Sequence, residues 1–224
     1  MTFPSSLPAA AIFDMDGVLV DSNPFHLRKW VNLLDKHGIH YQPEDLPEQV
    51  LGRRNSSAFR FFFGSNLSDE DVRSRSEELE AEFRHTFEPH ARPLAGLEAL
   101  LDDLERARMP MAVASSAMAK NVEFVLKTLG FRRFFPLIVT GDDVARPKPD
   151  PEIYLLTARR LGLEPTTCVA FEDSFVGIES AKRAGMKCVG IASTFPLEEL
   201  QTRTDLAVQS FEDLSLEKLR ELFA

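Results

Sequence analysis

Five short apolar runs punctuate the chain, at residues 9–13, 111–114, 137–140, 168–171 and 188–191. None alternates apolar with polar, which is the pattern of strands covered on both faces in a parallel sheet. Helical periodicity fills the gaps. Leu97, Leu100, Leu101 and Leu104 recur at i, i+3, i+4 and i+7, as do Val122, Val125, Leu126 and Leu129. Residues 149–161 and 174–184 are further helix candidates, each ending beside a glycine (Gly162, Gly185) suited to close it. Leu216, Leu219 and Phe223 repeat the pattern in the tail. Strand–helix alternation of this kind predicts an α/β fold, a doubly wound and mostly parallel sheet.

One segment breaks the rhythm. Residues 22–91 contain no convincing strand, and Leu27, Trp30, Val31 and Leu34 mark an amphipathic helix. Ser68 precedes three acids and predicts the start of a long charged helix running toward Phe87. Its Glu77, Glu78, Glu80 and Glu82, set against Arg73, Arg75 and Arg84, read as a solvated face. A helical insertion explains such a stretch better than a loop of that length. The division expected is therefore an α/β core of residues 1–21 and 92–224, with a helical cap of residues 22–91. Its hinges are expected near residues 21–23 and 89–93.

Composition narrows the functional classes. The 224 residues include 26 Lys and Arg against 35 Asp and Glu, a net charge of −9. An acidic surface disfavours nucleic acid and anionic membranes but leaves room for a small phosphorylated ligand in a local site. Cys168 and Cys188 lie in apolar runs without a Cys/His cluster, which reads as buried free thiols in a reducing cytoplasm. The first residues lack a basic stretch before a long apolar one, so no secretory leader is expected. No run of about 18 apolar residues predicts a membrane span. A monomer is the default for this size.

Chemistry converges on one edge. Asp14 and Asp16 follow the first predicted strand, Ser115 and Ser116 the second, Lys148 the third, and Glu172 and Asp173 the fourth. In an open parallel sheet, ligands bind beyond the carboxyl ends of the strands. A carboxylate such as Asp14 can attack phosphorus and form an acyl phosphate. Asp16, two residues on, can protonate the leaving oxygen and later deprotonate water. Four carboxylates beside a phosphate dianion need a hard divalent cation with oxygen ligands, and Mg²⁺ suits them. Lys148 adds positive charge, and Ser115, Ser116 and the amides after them can hold phosphoryl oxygens.

Plainer readings stand beside these. The Asp14–Gly17 stretch could be a simple turn; a calcium loop fails because a strand precedes it and no Glu occupies its twelfth position. Ser115 could merely cap the next helix, and the 172–174 stretch could do the same. Lys148 could be a loop lysine, although Pro147 and Pro149 give it rigid flanks. His26 could be a surface histidine.

Residues 13–22 (FDMDGVLVDS), 113–116 (VASS), 146–154 (RPKPDPEIY) and 171–185 (FEDSFVGIESAKRAG) resemble the four ordered motifs of the haloacid dehalogenase-like superfamily. The resemblance spans nearly the whole chain and implies a Rossmann-like core with a small helical cap. It implies Asp14 as nucleophile and Asp16 as general acid/base. It also implies Mg²⁺ on the Asp14 carboxylate, the Asp16 main-chain carbonyl and Asp173, with Glu172 as a ligand directly or through water. Ser115 and Lys148 would bind the transferring phosphoryl group. An acid at Asp16 points to phosphate esters, because the dehalogenases and phosphonoacetaldehyde hydrolases of the superfamily lack it.

The chain is most similar to the β-phosphoglucomutase-like group, which holds both mutases and sugar-phosphate phosphatases. His26 and Gly52 match that group's histidine after the first motif and its cap glycine. Two positions depart: Leu51 stands for a lysine and Asn55 for an arginine, with Arg53 and Arg54 nearby. A mutase must anchor a second phosphate on cap cations, so hydrolysis of a small phosphorylated metabolite is expected, with Arg53, Arg54 and Asn55 reading the substrate. The alternatives are a phosphosugar mutase and, from another class, a receiver-like phospho-aspartate signalling module.

Overall fold

The computed structural model describes residues 7–224. The reading of a leader rests partly on residues 1–6, which lie outside them. Six strands form one sheet: β1 (Ala10–Phe13), β2 (Met111–Ala114), β3 (Leu137–Val139), β4 (Cys168–Glu172), β5 (Lys187–Ile191) and β6 (Leu206–Val208). Their order is β3-β2-β1-β4-β5-β6, and every neighbouring pair is parallel. The five apolar runs are the first five strands. β6 has only three residues and sits at the sheet edge, too short to announce itself by pattern.

Chain order reverses between β1 and β4, so the crevice at their carboxyl ends is the topological switch point, where ligands of such sheets bind. The unbroken apolar character of β1 follows from its two covered faces. Ala11 and Phe13 enter one hydrophobic cluster, with Leu97, Leu101 and Val125, while Ala10 and Ile12 enter another, with Ile153 and Ile178. At the end of the β1–β4 pair, Phe13 lies opposite Phe171 and the rings stack with centroids 4.4 Å apart. That cross-strand pair anchors the two backbones immediately before Asp14 and Glu172.

Between β1 and residue 91 lie four α-helices and no strand: α1 (Asn23–Lys36), α2 (Leu46–Val50), α3 (Asn55–Phe63) and α4 (Asp69–Phe87). Trp30, Leu34, Phe59, Val72 and Leu79 form a hydrophobic cluster of their own. Ser68 caps α4 by accepting from the Asp71 N–H at 3.1 Å. The last turn of α4 leaves this cluster, since Phe83 and Phe87 pack into the sheet-side core.

The remaining helices are α5 (Leu97–Arg106), α6 (Ala119–Leu129), α7 (Glu152–Leu161), α8 (Phe175–Arg183), α9 (Leu197–Gln201) and α10 (Leu216–Glu221). α7 begins three residues later than its pattern suggests. Pro149 to Pro151 form a turn instead, in which Asp150 Oδ1 accepts from the Glu152 N–H at 3.0 Å. Among the described residues, no helix is long and apolar enough to cross a membrane. Cys168 and Cys188 are buried free thiols.

Candidate active site

The site is assembled where the strands end. Asp14 is 4% exposed, and its Oδ1 accepts from Lys148 Nζ at 2.7 Å. The same ammonium donates to Glu172 Oε1 at 2.5 Å and to the Ala114 carbonyl at 3.1 Å, joining the ends of β1, β2 and β4. Glu172 is fully buried, and Tyr154 of α7 donates to the same Oε1 at 2.6 Å. Asp173 Oδ2 accepts from Asn23 Nδ2 at 2.7 Å and from the Thr194 hydroxyl.

Asp14, Glu172 and Asp173 offer carboxylate oxygens within 4.8 Å of one another. One lysine faces this group directly. Burial, followed by the charges of Glu172 and Asp16, pushes Asp14 up to about 7 against the pull of Lys148. Burial and the neighbouring Glu172 and Asp14 push Asp173 well above the carboxylate range. Burial would lower Lys148, but Asp14 and Glu172 outweigh it and raise the ammonium. Such a buried, electron-rich oxygen set fits a hard divalent cation such as Mg²⁺.

Asp16 faces another way. Its Oδ1 accepts from Ser22 Oγ at 2.5 Å and lies 3.0 Å from His26 Nε2. Burial would raise Asp16, but His26, Ser22 and Lys29 together hold it below its ordinary value. The turn carrying both acids folds back on itself: Val18 and Leu19 donate to the Met15 carbonyl, and Gly17 donates to that of Val20. Gly17 has φ +74°, and a Cβ there would overlap the Asp173 carboxylate, so only glycine fits.

A cavity of about 290 Å³ opens from this point into the helical insertion. It is lined by Asp14, Asp16, Ser115, Ser116 and His26, and also by Gly52, Arg53, Arg54 and Asn55. Lys148, Glu172 and Asp173 are buried beside Asp14. Ser115 Oγ accepts from the Ala117 N–H at 3.1 Å, in the turn before α6, and so does not cap that helix. Ser174, by contrast, does cap α8, through the Gly177 N–H.

The insertion touches the core at several points around this cavity. Ser116 Oγ donates to the Gly52 carbonyl at 2.8 Å, and Arg54 donates to the Val144 carbonyl. His26 stacks on Phe83, ring centroids 4.1 Å apart, which sets the plane of the imidazole beside Asp16. The α4 charges are not all solvated, contrary to the reading of that helix. Glu80 is 5% exposed and pairs with Lys29, while Arg84 donates to Asn121 of α6. Partners on α1 and α6 bury them, and residue spacing along α4 alone cannot announce those partners. Asn23, Tyr154 and Thr194 were likewise not anticipated. Each is an isolated polar residue whose role appears only when distant segments meet.

The haloacid dehalogenase-like hydrolase family model matches residues 11–191. The chain is 34% identical over 190 residues to a validoxylamine A 7'-phosphate phosphatase of Streptomyces hygroscopicus subsp. limoneus, covering 85% of this chain and 88% of that protein. It is 30% identical over 220 residues to the β-phosphoglucomutase of Bacillus subtilis, covering 95% and 94%. Among solved structures, a β-phosphoglucomutase from Clostridium difficile superposes with a TM-score of 0.86 at 27% identity, covering 97% of each chain.

Proposed function

Since this chain belongs to the haloacid dehalogenase-like hydrolase family and is an enzyme of phosphate-ester chemistry, we propose that it is a Mg²⁺-dependent phosphatase of a small sugar phosphate. The observation that carries the reading is the pairing of Asp14 and Asp16 on one cavity, with Lys148 bonded to Asp14 and Ser115 lining the same cavity. Residues 22–91 act as a cap that opens for substrate and closes to exclude water.

Asp14 attacks phosphorus, the bond to the ester oxygen breaks, and Asp16 delivers a proton to the leaving alcohol. Water then attacks the aspartyl phosphate, Asp16 takes its proton, and inorganic phosphate leaves. Ser115, Ser116 and Lys148 hold phosphoryl oxygens, and His26, Gly52, Arg53, Arg54 and Asn55 meet the rest of the substrate. Asp14, the Asp16 main-chain carbonyl and Asp173, with Glu172 directly or through water, would hold Mg²⁺, which would supply positive charge beside the transferring group.

Hydrolysis is favoured over mutase chemistry because the two arginines that follow Gly52 already donate to backbone carbonyls. Arg53 Nε donates to the Glu48 carbonyl at 2.8 Å and Arg54 donates to that of Val144. The test is phosphate release with Mg²⁺ from a panel of sugar and polyol phosphates, with Asp14→Ala as the blank. Turnover that vanishes in the folded variant is the expected result. Retained activity in Asp14→Ala, or isomerisation of β-glucose 1-phosphate without phosphate release, would overturn it.

A further inference from the structure

The cavity carries a second polar cluster besides the acids at the strand ends. Trp30, Asn55, Ser76 and Glu80 of the insertion line it, with Asn121 from the core. Glu80 Oε1 accepts from Lys29 and from Asn55 Nδ2 at 2.6 Å, and Oε2 accepts from Asn121 Nδ2. Arg84 reaches Asn121 Oδ1 and not the carboxylate. Ser76 donates to the Val72 carbonyl at 2.7 Å.

A carboxylate has about four acceptor sites, and three are taken here. Its charge is matched by a single buried ammonium, Lys29, 6% exposed. The Lys29–Glu80 pair is therefore neutral. To a ligand the cluster presents amide groups and one remaining carboxylate lone pair, which match sugar or polyol hydroxyls. A phosphate dianion would meet a desolvated carboxylate whose only ion-pair partner is already engaged. Of the other cations on the cavity, Arg60 pairs with Asp69 and Arg53 and Arg54 donate to backbone carbonyls, while Arg73 is exposed, where solvent and salt screen its charge.

We propose that Glu80, with Lys29, Asn55 and Asn121, is the specificity determinant of the cavity, selecting phosphate monoesters with an uncharged, hydroxyl-bearing far end and rejecting bisphosphates. Its catalytic meaning rests on the phosphatase reading; its binding preference is testable without it.

Calorimetry on full-length Asp14→Asn protein with Mg²⁺ compares β-glucose 1-phosphate with β-glucose 1,6-bisphosphate, which differ by one phosphate. The monoester is expected to bind at least about tenfold more tightly. Glu80→Gln in the same background keeps the shape, removes the negative charge and frees Lys29, and should erode that preference by about tenfold. Equal affinities before the change, or an unaltered ratio after it, overturn the proposal. Lys29→Met/Glu80→Met removes both charges together, avoiding a lone buried ion should Glu80→Gln fail to fold. It should weaken monoester binding by about tenfold, through the lost acceptor and its ordered amides; unchanged binding in folded protein also overturns the proposal. Turnover of p-nitrophenyl phosphate by the natural sequence is scored separately. Its absence sinks the phosphatase reading and leaves the binding preference to the calorimetry.

Discussion

Replacing Gly52 by alanine separates the strain of a loop from the closure of a cap. Gly52 lies between α2 and α3 at φ +70°, and its carbonyl receives the Ser116 hydroxyl. A Cβ there would overlap Ser174 Oγ and lie 2.8 Å from Ser174 Cβ and 2.9 Å from Val176 Cγ2. The left-handed backbone costs alanine about 1–2 kcal/mol, whether the cap is open or closed. The overlap applies only while the loop rests on the core. Relieving it by moving Ser174 disturbs the cap of α8, worth about 1 and at most about 2 kcal/mol. If the cap opens instead, that second cost falls on closure and lowers kcat/KM by about 5- to 30-fold. Urea unfolding reads the first quantity, and steady-state phosphate release reads the second. A loss of about 1–2 kcal/mol in stability with kcat/KM unchanged within about twofold would refute the reasoning, because the loop contact would then play no part in the productive state.

Asp16→Asn should lower kcat by about 10²- to 10⁴-fold with little change in thermal midpoint; a loss below about tenfold would remove Asp16 from proton transfer. Lys148→Met leaves Asp14 and Glu172 facing each other without their shared ammonium. In chelator it should cost about 3–5 kcal/mol, and Mg²⁺ should restore more stability to the variant than to the natural sequence, as read by melting with and without the ion. Asp205 is partly buried, which would raise it, but Lys182, the Cys188 N–H and Lys187 hold it below its ordinary 3.8. Its stabilising contribution is therefore present above about pH 4 and is lost as pH falls through the lower folded value. Asp205→Asn should cost about 0.5–1 kcal/mol at pH 6, since both lysines are partly exposed, and the difference should shrink below pH 4 in urea titrations. A cost that grows on acidification would contradict this sign.

The legible parts of the fold were those written as local periodicity. Strands covered on both faces must be apolar throughout, so β1, β2 and β4 stood out, while three-residue β6 had too few positions to form a pattern. Ser68 announced α4 because a cap is a matter of adjacent residues. The charges of α4 misled for the opposite reason. Glu80 and Glu82 look alike in sequence, yet one is buried against Lys29 and Asn121 and the other faces solvent.

By itself, then, the sequence determined an alternating α/β chain with a helical insertion and brought Asp14, Asp16, Ser115, Ser116, Lys148, Glu172 and Asp173 to the ends of its strands. Those are consequences of hydrophobic spacing and of where each polar group sits relative to its own strand. Only the tertiary structure decided that Lys148 bridges Asp14 and Glu172, that Tyr154, Asn23 and Thr194 hold the acids, and that Glu80 lines the cavity. These depend on distances between segments up to 171 residues apart, as between Asn23 and Thr194. A buried polar group takes its character from whichever partner the packing brings within about 3 Å, and no local pattern encodes that partner.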